Sequence, residues 1–172
     1  MATPTPPPAR RAAGFTLTEL MCALAVLAIV AGMCAPMLQD TMRRGSIRAA
    51  TLQVAGALAQ ARGTSITSNR RGTFCPADGG DACQLVAAPT DRWMVFIDEP
   101  LGPRVIARGT LPPGVLLTSN RVSVHFWPVA LAGATATLTI CDGAGRAPWR
   151  QLVVSQTGRV RSRSEPGAAG CP

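Results

Sequence analysis

The sequence lacks the residues and motifs on which most enzyme active sites depend. Its 172 residues include one histidine, His125, and no tyrosine or lysine, and aromatic residues make up only 4% of the chain. No G-x-S-x-G, H-E-x-x-H or Walker-type phosphate loop is present. Asp98 and Glu99 are adjacent and precede Pro100, which favours a turn over a pair of catalytic carboxylates. We therefore expect no catalytic residues, no cofactor and no enzymatic activity.

The six cysteines form two groups. Cys22 and Cys34 lie in the apolar N-terminal run and are expected to stay reduced, whereas four lie in the polar remainder: Cys75, Cys83, Cys141 and Cys171. These four lack a close C-x-x-C pair, which argues against a zinc site, so we expect no metal. A disulfide set implies an oxidising compartment. Of the three possible pairings, we predict Cys75–Cys83, which brackets a glycine-rich turn, and Cys141–Cys171, which ties the tail to a strand end.

Composition limits the fold and the partners. With 47% hydrophobic residues, the chain can form one compact domain and one additional element. Abundant glycine (17) and proline (15) favour turn-rich β structure. The net charge is +8, and all 17 basic residues are arginines, which suits an acidic polymer or an anionic membrane surface as a partner.

The N-terminal segment predicts a membrane-inserted helix that is processed at an unusual place. A proline-rich, basic leader precedes an apolar run, in which the 19 residues of Leu20–Leu38 carry no charge, and about 20 suffice to span a bilayer. Glu19 interrupts this pattern at a cost of roughly 2.5–3.5 kcal/mol at a bilayer centre. If the chain is cut after Gly14, the free amine of Phe15 lies one helical turn from Glu19 and gives that carboxylate a partner.

The stretch G-F-T-L-T-E-L, followed by an apolar helix, resembles the class III signal of type IV prepilins and type II secretion pseudopilins. The resemblance implies that a prepilin peptidase cleaves between Gly14 and Phe15 and methylates the amine of Phe15. It also implies that Glu19 pairs with the N-terminal amine of a neighbouring subunit during assembly. The alternative is an ordinary signal anchor that happens to contain Glu19.

Helical periodicity continues beyond the apolar run. Five residues recur at helical spacing: Ile47, Ala50, Val54, Leu58 and Ala61. We predict one helix from about Phe15 to Ser68, bent or loosened at Pro36. The predicted organisation is a leader of residues 1–14, a transmembrane or filament-core half-helix of residues 15–42, and a periplasmic or extracellular domain of residues 43–172.

Beyond Asn69, short β-prone runs alternate with turn signals. The predicted strands are Gly72–Cys75, Gln84–Ala87, Arg92–Ile97, Arg104–Ala107, Val122–Phe126, Thr135–Cys141, Gln151–Ser155 and Arg159–Ser162. We predict an α+β, pilin-like fold in which one antiparallel sheet, or two, packs on the second, amphipathic half of the long helix.

Several of these runs resemble the FimT/GspH branch of pilin-like proteins. They include R-W-M-V-F-I-D, N-R-V-S-V-H-F, L-T-I-C-D and L-V-V-S-Q-T-G-R-V-R. We interpret the aromatic residues Trp93, Phe96, Phe126 and Trp127 as packing residues and not as base-stacking platforms. His125 is interpreted as a structural or surface residue.

A row of arginines is the candidate binding site. If residues 155–158 form a hairpin turn, Arg159, Arg161 and Arg163 project from one side of the next strand, and Arg146 and Arg150 are possible additions. Gly158-Arg159-Val160-Arg161 matches the G-R-x-R motif of DNA-binding, FimT-like minor pilins of natural transformation. The alternative is a solvated strand face that protects a sheet edge.

The resemblance therefore implies one of two alternative functions. The first is a minor pilin of a type IV pilus that binds DNA for uptake. The second is a GspH-like pseudopilin, a structural component of type II secretion. The expected partners are other pilins, the prepilin peptidase, the inner membrane and DNA. The expected location is the inner membrane before assembly and the pilus afterwards.

Overall fold

The computed structural model describes residues 16–79, 82–129, 135–169 and 171, with the side chains of 35, 36 and 165–169 excluded. The predicted cleavage site at Gly14 and Phe15 lies outside the described residues. The chain divides into two compact units, residues 1–38 and 39–172.

A single helix, α1 (Leu17–Ser68), runs through both units. This confirms the predicted long helix over the described residues, and α1 continues without interruption through position 36. Among the described residues, α1 alone is long and apolar enough to cross a membrane, and none of its apolar stretch is buried within the chain. That stretch therefore has no apolar partner among the described residues of its own unit.

Eight strands follow α1 and form two antiparallel sheets. The strands are β1 (Gly72–Ala77), β2 (Arg92–Glu99), β3 (Gly102–Thr110), β4 (Val115–Ser119), β5 (Val124–Phe126), β6 (Ala136–Asp142), β7 (Pro148–Val154) and β8 (Val160–Ala169). Sheet A has the order β3-β2-β1-β5, and sheet B has the order β4-β6-β7-β8. The α+β prediction, with two sheets against a helix, is confirmed.

The second half of α1 provides one wall of the core. The predicted apolar face is buried from Ile47 to Ala61 and clusters with residues of both sheets, including Phe74, Val95 and Leu138. The helix and β1 approach closely at Gly72, where an added Cβ would clash with the carbonyl oxygen of Ala61. Glycine at this position is therefore required for the helix to pack on sheet A.

One predicted strand is absent, and one observed strand was not predicted. Gln84–Ala87 is β-prone in composition but forms no strand, because it has no partner strand and Leu85 is 94% exposed. Among the described residues of this loop, an isolated bridge joins Ala77 to Cys83, and the Gln84 N–H donates to the Pro76 carbonyl at 2.9 Å. The prediction also missed β4, whose pairing with β6 is made across a long sequence separation.

Both predicted disulfides are present. Cys75–Cys83 has a Cα–Cα distance of 5.6 Å, and Cys141–Cys171 has one of 5.3 Å. The first holds the loop after β1 over a small second cluster that contains Met94 on sheet A. The second closes a span of 30 residues that contains β7 and β8, so it restrains the C-terminal end of the edge strand. Cys22 and Cys34 are free and exposed.

An ion pair links α1, just before its buried face begins, to sheet B. The carboxylate of Asp142 accepts hydrogen bonds from Arg43 Nη1 at 3.2 Å and from the backbone N–H groups of Ala144 and Arg146 at 3.2 and 3.1 Å. Desolvation raises the pKa of Asp142, but these donors and the Arg43 charge outweigh it. The pKa of Asp142 therefore lies below its ordinary value of 3.8.

We expect Asp142→Asn to lower the free energy of unfolding at pH 7 by about 1–3 kcal/mol, because it removes a charged acceptor from three donors. A depressed folded-state pKa means that the carboxylate stabilises the fold above about pH 4 and that this contribution is lost as the pH falls through the folded pKa. Urea unfolding from pH 7 to pH 2 measures this dependence. The exposed carboxylate variant Asp40→Asn is the control. An Asp142→Asn profile parallel to that of the wild type would contradict the assignment.

Candidate functional site

The turn between β7 and β8 sets the geometry of the arginine row. The Gly158 N–H donates to the Ser155 carbonyl at 2.8 Å, and the Ser155 N–H donates to the Arg159 carbonyl at 3.0 Å. Gly158 has φ of 69°, a left-handed conformation that glycine adopts without strain. This is the pattern of a hairpin in which a turn is followed by a glycine bulge, so the glycine of G-R-x-R has a backbone role.

The register of β8 places Arg161 and Arg163 on the outer face of sheet B, and Arg159 directly precedes the strand. Arg161 lies opposite Val153, and Arg163 lies opposite Gln151. The intervening Ser162 lies opposite Leu152, which is 1% exposed, but Ser162 is itself exposed. Arg159, Arg161 and Arg163 are all exposed, and so are Ser162 and Ser164, so the register of the strand and not the burial separates the two faces. Same-face residues on a strand are roughly 6.5–7 Å apart.

The charge around these three guanidinium groups can be described only without Glu165, whose side chain is excluded. Among the described residues, none of them has a carboxylate within ion-pair distance, whereas four other arginines do: Arg43–Asp142, Arg71–Asp98, Arg92–Asp91 and Arg104–Glu99. A surface groove of about 570 Å³ follows the row and is also lined by Val153, Ser155, Thr157 and Ser162. The site can therefore hold an extended anion between guanidinium and hydroxyl donors.

Arg150 does not extend the row. It pairs with Ile140 and Ser164, and Ile140 is fully buried, so Arg150 belongs to the opposite face of sheet B. The predicted strand began at Gln151, whereas β7 begins at Pro148 and includes Arg150, whose face depends on the register.

At the N-terminus of α1, Thr16 acts as the cap. The Glu19 N–H lies 3.3 Å from Thr16 Oγ1, and the Leu20 N–H donates to the Thr16 carbonyl at 3.1 Å. The T-x-x-E spacing is that of a capping box, a sequence signal that the prediction overlooked. A carboxylate at position 19 also complements the positive end of the helix dipole.

His125 and Trp127 lie at the edge strand of sheet A. The ring nitrogens of His125 are hydrogen-bonded to Thr73 Oγ1 at 2.9 Å and to Ser123 Oγ at 3.1 Å. Burial lowers the pKa of His125 and the charge of Arg71 lowers it further, against an opposing effect of Asp98. The described residues contain no group of three or more His, Cys, Asp or Glu side chains that could hold a metal ion.

The packing prediction is correct for Trp93 and Phe126, which are buried, and for Phe96, which packs on the second cluster. It is wrong for Trp127, which is 43% exposed. Trp127 directly follows β5 and lies where sheet A ends.

Comparison with known proteins identifies the family. The sequence profile of the type II transport protein GspH matches residues 50–158, and that of the prokaryotic N-terminal methylation motif matches residues 9–35. The second span contains Gly14, Phe15 and Glu19, whereas the first ends one residue before Arg159. A fimbrial protein of Moraxella nonliquefaciens is 40% identical over 68 residues, which is 40% of this chain and 41% of that protein's length.

Two solved structures share the fold. The type IV minor pilin FimU of Pseudomonas aeruginosa aligns with a TM-score of 0.56 at 13% identity, over 72% of this chain and 96% of FimU. The minor pseudopilin EpsH of the Vibrio cholerae type 2 secretion system aligns with a TM-score of 0.57 at 11% identity, over 71% of this chain and 99% of EpsH. By its profile match over most of its length, its N-terminal methylation motif and its fold, this chain belongs to the GspH family and is a pilin-like protein of the minor pilin and pseudopilin class.

Proposed function

We propose that this chain is a minor pilin of a type IV pilus that binds DNA without sequence preference through Arg159, Arg161 and Arg163. The observation that supports DNA binding is the exposed arginine row, which has no acidic partner among the described residues. Alternate positions on β8 match the extended backbone of a polyanion, and phosphate contacts carry no sequence information. Gly158 contributes by closing the turn that aligns the row.

The proposed life cycle begins in the inner membrane. Residues 1–14 form the leader, the half-helix of residues 15–42 first spans the membrane and then enters the filament core, and residues 43–172 form the domain outside the membrane. The prepilin peptidase cleaves at Gly14–Phe15 and methylates Phe15. Glu19 then pairs with a neighbouring pilin's amine. The exposed apolar surface of α1 supports this proposal, because it needs a lipid or protein partner.

A structural pseudopilin of type II secretion is the second candidate. It is supported by the GspH profile, whose match stops at Gly158 and so does not require the arginine row. In that case the row is a charged strand edge that resists edge-to-edge aggregation. The DNA-binding experiment below separates the two candidates.

Processing is tested by intact mass spectrometry of the membrane-extracted protein. We expect the mature chain to begin at Phe15 and to be one methyl group heavier than its sequence. Replacing Gly14 with leucine should leave the precursor, because a bulky side chain then occupies the cleavage position. A cut after Ala35, or an uncut wild-type chain, would be incompatible with the proposed signal.

Assembly is tested at Glu19. We expect Glu19→Gln to insert into the membrane but to enter sheared pili poorly, because it removes the charge that pairs with the neighbouring amine. Thr16→Ala is the matched control, because it removes the helix cap and keeps the carboxylate. If Thr16→Ala assembles as poorly as Glu19→Gln, or if Glu19→Gln assembles normally, the pairing role is wrong.

DNA binding is tested by duplex titration of the full chain in phosphatidylcholine nanodiscs at two or more salt concentrations. We expect Arg159→Ala and Arg161→Ala each to reduce the log–log salt slope by about 1, because each removes one phosphate contact and its counterion release. Arg161→Gln should be nearly as damaging as alanine. Folding should be unaffected, because exposed substitutions usually change stability by about 0.5 kcal/mol or less.

Arg104→Ala is the matched control, because it removes the same net charge from an exposed strand position where the arginine is paired with Glu99. Its salt slope should equal that of the wild type. If the Arg159→Ala/Arg161→Ala double variant binds duplex as tightly as the wild type, the row is only a solvated face, and the pseudopilin candidate is preferred.

A further inference from the structure

Trp127 differs from the other aromatic residues of sheet A. Phe74 and Trp93 stack on each other inside the core, with ring centroids 6.1 Å apart, and Phe126 is fully buried. Trp127 follows Phe126 at the end of the edge strand and keeps 43% of its surface exposed. Exposing so large an apolar ring has a hydrophobic cost, and the core of the protein does not use the exposed part.

The ring is held in place by a cation. The guanidinium carbon of Arg71 lies 5.5 Å from the Trp127 ring centroid, within the range of a cation–π contact. Arg71 is itself fixed, because its Nε donates to Asp98 Oδ2 at 2.6 Å. The tryptophan is therefore restrained before any ligand arrives, which lowers the entropy lost on binding.

The end of α1 fixes the backbone on which this arrangement depends. The Ser65 hydroxyl lies 2.7 Å from the Arg70 carbonyl oxygen and 2.8 Å from the Phe126 carbonyl oxygen. These contacts join the chain segment before β1 to the end of β5. Arg70 and Trp127 are therefore attached to the backbone at neighbouring points.

The charge of this surface is positive. Asp98 compensates Arg71, but exposed Arg70 has no carboxylate within ion-pair distance among the described residues. We call Arg70, Arg71 and Trp127 the Trp127 patch. It combines a restrained aromatic ring with a guanidinium group that has no carboxylate partner among the described residues. These are the two elements that bind single-stranded nucleic acid: a base stacks on the ring and a phosphate contacts the cation.

We propose that the Trp127 patch binds an unpaired nucleobase, so that the protein contacts single-stranded DNA at a second surface. Bases in a duplex are already stacked on one another and cannot reach the ring, so the patch discriminates in favour of unpaired DNA. The inference rests on the proposed function only in taking DNA as the ligand. The surfaces are separate, because the patch adjoins β5 at the edge of sheet A and the arginine row lies on β8 at the edge of sheet B.

The test uses the full chain in phosphatidylcholine nanodiscs, titrated with oligothymidylate of about 12 nucleotides and with a duplex of the same length. We expect Trp127→Ala to lower the affinity for oligothymidylate about 5- to 150-fold, the range of base–aromatic stacking, and to change duplex affinity by less than about twofold. Trp127→Phe should retain most single-strand affinity, because phenylalanine also presents a π face.

Val129→Ala is the matched control, because Val129 is 73% exposed and lies two residues from Trp127. It should bind both probes like the wild type. Unchanged oligothymidylate affinity in Trp127→Ala overturns the inference, as does an equal loss for both probes. Impaired entry into pili with unchanged oligothymidylate affinity overturns it too and identifies the patch as a contact between subunits.

The same titrations test the arginine row separately, through the duplex affinity of its variants. If the Arg159→Ala/Arg161→Ala double variant binds duplex with wild-type affinity, the proposed function alone is wrong. If Trp127→Ala binds oligothymidylate with wild-type affinity, the inference about the Trp127 patch alone is wrong. A wild-type chain that binds neither probe defeats both.

Discussion

The apolar face of α1 between Ile47 and Ala61 is the surface on which the globular unit is organised. Each sheet has an apolar face that needs cover, and both contribute residues to the same core against this helix. The close approach at Gly72 brings β1 onto the helix, and β1 in turn pairs with β5, which carries Trp127 at its end. In sheet B, β8 is an edge strand, and its register places Arg161 and Arg163 on the outer face of the sheet.

Charge is distributed unevenly over this frame. In sheet A and the turns beside it, Asp91, Asp98 and Glu99 each lie within ion-pair distance of an arginine, so much of that positive charge is compensated locally. On the outer face of sheet B the described residues give the arginine row no such partner. Exposed ion pairs add little stability, so the main effect of those in sheet A is on the local charge. A polyanion bound to the arginine row would displace counterions, which ties affinity to salt concentration.

The parts of the fold that depend on local pattern could be predicted from the sequence. The spacing of the apolar residues from Ile47 to Ala61 predicted which face of α1 is buried. The alternation of side chains along a strand predicted that the arginines share a face. The failures arose where tertiary partners decide the outcome. Gln84–Ala87 has strand composition but no partner, whereas Val115–Ser119 is a strand because β6 lies beside it. Trp127 follows an apolar alternation, yet β5 ends at Phe126 and exposes the next ring.

The central claim is that DNA binds along the β7–β8 hairpin, and hydrogen–deuterium exchange of the full chain with and without duplex DNA tests it most directly. The amides of an edge strand exchange readily because half of them lack a partner in the sheet. The account predicts that duplex slows exchange in peptides covering residues 155–164 and leaves the β2–β3 hairpin of sheet A unchanged. Slowed exchange confined to sheet A, or no change in residues 155–164 at saturating duplex, would contradict it.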